Sequence, residues 1–70
     1  MTQAQLQYAE SLKDLQREFD RAVSTAAFLR YCRENPGQLS TREQERRVEC
    51  QRYLESLPAS VQRAAREESR

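Results

Sequence analysis

Seventy residues with twelve basic and eleven acidic side chains, a formal net charge of +1 and a mean hydropathy of −1.02 make one small, strongly polar domain. Charges of both signs are interspersed along both halves of the chain, which argues against the basic stripe that general nucleic-acid or anionic-membrane binding needs. There is no run of apolar residues long enough to span a bilayer, and no histidine, which excludes Cys/His zinc sites and histidine-based catalysis.

The apolar inventory is thin. Seven leucines, three valines, two phenylalanines and no isoleucine fall below the share at which folding alone becomes doubtful. A single core in so short a chain rarely supplies more than about 3–5 kcal/mol, so self-association or a partner is expected from the outset. All basic residues but Lys13 are arginines, which suit interface ion pairs better than lysine; a GC-rich genome would give the same bias. The N-terminus is Gln-rich and polar, unlike a signal peptide, and the two cysteines do not form a secreted disulfide framework. A cytoplasmic protein is expected.

From about residue 2 to residue 34 the chain has no proline or glycine. Tyr8, Leu12, Leu15, Phe19, Ala22, Ala26 and Leu29 recur in alternating steps of four and three, with Val23 beside them. This is the stripe of a helix that packs on another helix. Next comes Asn35-Pro36-Gly37-Gln38-Leu39-Ser40, holding the only glycine and one of two prolines. Pro36 stops a helix arriving from the N-terminal side, and Gly37 offers the positive φ of a tight reversal. Ser40 precedes Glu43 by the spacing of a capping box, so a second helix is expected over about 41–57. Its stripe is Glu43, Arg47, Cys50, Leu54 and Leu57, continuing to Val61 and then Ala64 or Ala65. Pro58 interrupts it and should open a short helix over about 58–66, with fraying beyond Arg66.

Stop, reversal and restart make an all-α antiparallel helical hairpin. With the corner centred near Gln38, facing residues should have numbers adding to roughly 76. That opposes Arg33 with Glu43, Ala26 with Cys50, Ala22 with Leu54, Phe19 with Leu57 and Leu15 with Val61. Cys32 and Cys50 do not face each other in this register, so both thiols should be free. The first helix overhangs the hairpin and should pair with its twin in a homodimeric bundle, through Tyr8, Leu12 and Leu15.

No phosphate loop, nucleophile elbow or metal-ligand spacing is present, so neither an enzyme nor a cofactor is expected. The aromatic residues are more informative. Phe28 points away from the first stripe with Tyr31 one turn on, among Arg21, Arg30 and Arg33. A ring among arginines has the composition of a binding patch. The alternative is that Phe28 packs under Leu39 or the C-terminal segment. Tyr53 flanks the second stripe and can serve the hairpin edge or a partner. The partner-binding candidates are therefore Phe28, Tyr31, Arg21, Arg30 and Tyr53.

Leu39-Ser40-Thr41-Arg42-Glu43-Gln44-Glu45 resembles the opening of a LuxR-type helix-turn-helix, although Arg46 and Arg47 stand where that family has apolar residues. Ser56-Leu57-Pro58-Ala59-Ser60-Val61 resembles the end of the Hha family of nucleoid co-regulators, with Gln62 in place of the following aromatic. In size, arginine bias and helical plan the chain resembles small early phage proteins that act as anti-activators of a quorum-sensing regulator or a pilus motor. That resemblance implies a homodimer that inhibits or sequesters a larger bacterial protein by occupying its surface. Two alternatives stay open: a small co-chaperone like those of type III secretion, and a Rop-like or Hha-like nucleic-acid-binding dimer.

Overall fold

The computed structural model describes residues 3–70, and the side chains of all of these but Ala4, Leu6, Gln7 and Tyr8; the expected stripe position Tyr8 thus lies outside the described side chains. Among the described residues there are three α-helices and no strand: α1 (Gln3–Glu34), α2 (Thr41–Glu55) and α3 (Ala59–Glu68), with a 3₁₀ turn over Pro36–Gln38. The expected all-α class holds, and the three helices start and end within two residues of the expected positions.

The first corner is built from local chemistry. Asn35 ends α1 by turning both its backbone N–H and its side-chain amide onto the Tyr31 carbonyl, each at 3.0 Å. Pro36 then opens one 3₁₀ turn, closed by the Gln38 N–H on the Asn35 carbonyl at 3.2 Å. The expected positive φ at Gly37 is not used. The linker reverses with a right-handed turn between Asn35 and an extended Leu39, so no left-handed residue is required. A methyl group added at Gly37 would meet nothing within 4 Å.

The capping box forms as expected. The Glu43 N–H donates to Ser40 Oγ and the Ser40 N–H donates to Glu43 Oε1, both at 3.2 Å. Such a cap contributes about 1 kcal/mol and sets where α2 begins. The α2–α3 corner is equally local. Pro58 takes an extended ψ of 146° and its carbonyl accepts from the Val61 and Gln62 N–H groups at 3.0 Å. The Gln62 side chain donates to the Leu57 carbonyl at 2.7 Å and reaches the Glu55 carbonyl at 3.4 Å, satisfying groups that the end of α2 leaves open.

α2 runs back along α1. Arg21 of α1 stacks 4.2 Å from the ring centroid of Tyr53, and Arg46 of α2 stacks 4.6 Å from that of Phe28. In both pairs the residue numbers add to 74, two below the expected register. α3 then reverses again. Ala65 joins Ala22, Ala26 and Leu54 in one buried cluster, and Arg30 Nη1 donates to the Ser69 carbonyl at 3.5 Å. α3 therefore runs in the same direction as α1 and packs on its C-terminal half.

This placement corrects two expectations. Val61 does not continue the α2 stripe toward Leu15: the chain folds back at Pro58, and Leu15 is 61% exposed. Nor does the helix end at Arg66. It continues to Glu68 because Ser69 caps it, with its N–H on the Ala65 carbonyl at 3.1 Å and its hydroxyl on that of Arg66 at 2.9 Å.

The core is small and made largely of small residues. Ala22, Ala26, Leu54 and Ala65 are buried, with Val23, Leu29 and Leu57 packed around them. Phe19 and Val61 are half-buried. Alanine at the contacts leaves room for the three helices to approach closely. Thr25 is buried too, its hydroxyl donating to the Arg21 carbonyl at 2.7 Å. Cys32 is fully buried and Cys50 half-buried, both as free thiols.

Helix length then determines shape. α2 has 15 residues against the 32 of α1, so it covers only the second half of α1. Every residue from Ala9 to Glu18 is exposed, and the molecule measures 54 × 22 × 18 Å. A three-helix bundle therefore sits at one end of a bare helical rod.

Candidate protein-binding surfaces

Three surfaces follow from this architecture. The first is the rod. Leu12 and Leu15 are 48% and 61% exposed on it. They lie on the stripe that continues through Phe19 into Ala22 and Ala26, so one apolar face is buried in the bundle and open on the overhang. Solvent does not stabilise such a stripe; another helix does.

The second surface is the α1–α2 seam. Arg21 over Tyr53 and Arg46 over Phe28 are reciprocal: each helix supplies one arginine and one ring, and both partners step by one heptad between the pairs. Between them lies an open cleft of about 300 Å³, bordered by Thr25, Glu49 and Cys50. Phe28 and Tyr53 are each half-buried, covered by an arginine of the opposite helix.

Of the five candidate partner-binding residues, the structure thus brings Phe28, Arg21 and Tyr53 to this seam. Arg30 is directed elsewhere: its Nε pairs with Glu34 Oε1 at 3.0 Å and its Nη1 reaches α3. Tyr31 is 44% exposed. The sequence pattern missed Arg46, because it stands on the second helix and only the register shows which ring it covers. An exposed cation–π pair is worth about 0.5–1 kcal/mol. In urea melts of Phe28→Leu, Arg46→Gln and the double variant we expect a coupling of that size. Additive losses would show that the arginine only covers the ring.

The third surface is a trough where the three helices meet. Ala26, Leu29 and Leu54 form its floor, and Arg33 of α1, Arg47 of α2 and Arg66 of α3 form its rim, around about 360 Å³. A second cleft of about 350 Å³ shares Ala26, Arg33 and Arg66 and extends to Arg30 and Arg70. Among the described residues Glu55 is the one carboxylate side chain lining either cleft, and it accepts from Gln51 Nε2 at 3.4 Å. The guanidinium groups of Arg33, Arg47 and Arg66 have no ion-pair or hydrogen-bond partner among the described residues. Three arginines far apart in the chain are thereby gathered with their charge unspent.

Among the described residues no group of three His, Cys, Asp or Glu side chains is placed to hold a metal ion. Nor is any described helix long and apolar enough to cross a membrane. Compared with protein-family models, curated proteins and solved structures, the chain finds no match.

Proposed function

We propose that this protein is a non-enzymatic, protein-binding regulator: a homodimer that acts stoichiometrically by occupying the surface of a larger protein, in the manner of a phage anti-activator on a bacterial transcriptional regulator. The observation that carries this reading is the overhanging half of α1, whose exposed Leu12 and Leu15 prolong the stripe already buried in the bundle. A solitary helix of about sixteen residues is marginal in water. Packing against a second helix is what would secure it, and a second copy offers the same stripe with matching spacing. Two overhangs lying side by side would leave the bundles at the ends, with their seams and troughs open to the protein being inhibited.

The test is the pair of substitutions Leu12→Asp and Leu15→Asp, made together. By light scattering the wild type should run at twice its 8.3 kDa chain mass and the variant at the chain mass. Helical circular dichroism from the bundle should persist in the variant. A wild type that stays monomeric at high micromolar concentration would sink the dimer. Pull-down from a bacterial lysate, with the captured protein then bound in purified form at fixed stoichiometry, tests the regulatory half; a catalytic turnover on that protein would reject it.

A further inference from the structure

We infer that the arginine-rimmed trough between α1, α2 and α3 is the docking site for an acidic, leucine-bearing helix of the partner protein. This rests on the protein-binding reading above and names the chemistry of what is bound. The chain as a whole carries a formal charge of +1, yet among the described residues the two joined clefts are lined by five arginines, of which Arg30 is paired with Glu34, and by the carboxylate of Glu55. Arg33, Arg47 and Arg66 approach from three separate helices, are exposed and make no ion pair among the described residues. Holding like charges round one cleft repels, and nothing in the packing of the core requires it. An acidic occupant turns that repulsion into attraction.

The floor decides between kinds of acidic occupant. Ala26 and Leu54 at its base are already buried, so the apolar surface still open to an occupant is that of half-buried Leu29, flanked by the hydrocarbon stems of the rim arginines. A phosphate or a nucleic-acid backbone would leave that apolar surface idle and offers nothing to fill the cleft. A helix with leucine on one edge and glutamate beside it meets both parts, the apolar side chain on the floor and carboxylates against the guanidinium rim. Arginine pairs with carboxylate through two parallel N–H donors, which fixes orientation as well as attraction. The arrangement is that of a helix-in-groove contact with charged edges.

The probe is a fluorescein-labelled amphipathic peptide with leucine at every third or fourth position and glutamate between, titrated by anisotropy with the full chain at physiological salt. Two comparison peptides carry glutamine for glutamate or serine for leucine. We expect the first to bind and both comparison peptides to bind about tenfold more weakly or worse. The variant Arg33→Gln/Arg47→Gln/Arg66→Gln should lose a similar factor while melting like the wild type, since all three side chains are exposed. If the triple variant does not fold, Arg47→Gln alone and amide shifts on the wild type keep the test decisive: shifts should centre on Ala26, Leu29 and Leu54. Equal affinity for the glutamine peptide, an undiminished variant, or shifts confined to Leu12 and Leu15 would overturn the assignment. So would tighter binding of a single-stranded RNA oligonucleotide that the peptide cannot displace. A trough that fails here while the wild type still binds a purified partner removes only this site; preference for RNA removes the protein-binding reading as well.

Discussion

Leu54→Ala should leave most of the protein unfolded at room temperature. Leu54 is 2% exposed and shares the central cluster with alanines of the two neighbouring helices. Its neighbours Ala22, Ala26 and Ala65 are too short to lean into the space its removal would open, so the cavity would persist. Leucine-to-alanine changes in cores cost about 2–5 kcal/mol, more where the site cannot collapse. A domain of this size holds about 3–5 kcal/mol in total, so one side chain carries much of it. Thermal melts followed by circular dichroism should show the midpoint falling by more than about 10 °C, at roughly 4–8 °C per kcal/mol for a chain this long. A shift below about 5 °C would mean that the three helices do not converge on this residue.

Ending the chain after Leu57 should abolish cooperative folding altogether. The deletion removes Ala65, which is fully buried against the cluster, and with it the cover over Ala22, Ala26 and one side of Leu54. It also removes the Arg30–Ser69 contact and the Gln62 side chain that closes the end of α2. What remains is a pair of helices meeting through Ala22, Ala26 and Leu54, with Val23, Leu29 and Leu57 beside them, no third helix over the cluster, and two cation–π contacts at the seam. The cation–π contacts are worth about 1–2 kcal/mol together, and an apolar cluster left open to water on one side adds too little to order two helices. The measurement is a thermal melt with a proton–nitrogen correlation spectrum: a broad, non-cooperative loss of helicity with collapsed amide dispersion is expected. A sharp transition near that of the full chain would show α3 to be dispensable, and α1 and α2 to be the whole folding unit.

The deletion separates two plans that have the same helices. A continuous second stripe from Glu43 to Val61 places α3 beyond α2, opposite Leu15. The structure instead returns α3 to α1. Pro58 marks a break in either plan, since proline constrains its own φ and its neighbour but not the direction of the next helix. That direction follows from burial. Folding back covers Ala22, Ala26 and Leu54 with Ala65, whereas continuing outward would leave these residues half open.

The partner-binding candidates divide in the same way. A ring among arginines was legible near Phe28, because that pattern is local to α1. Which arginine covers which ring was not, because Arg46 and Tyr53 reach Phe28 and Arg21 only through the pairing of α1 with α2. The trough was illegible for the same reason: its rim takes one arginine from each helix, and each of these has acidic neighbours in the sequence that hide the local excess.

The amino-acid sequence by itself determined what short-range chemistry determines. Helix extents follow from spacing and from the absence of proline and glycine, the start of α2 from Ser40 and Glu43, and the breaks from Pro36 and Pro58. Tertiary structure alone decided that α3 lies along α1, and that Leu12 and Leu15 remain bare while three distant arginines meet. The physical reason is range. Caps and turns are settled by atoms a few residues apart, whereas the direction of a helix and the field around a cleft depend on which distant surfaces exclude water together.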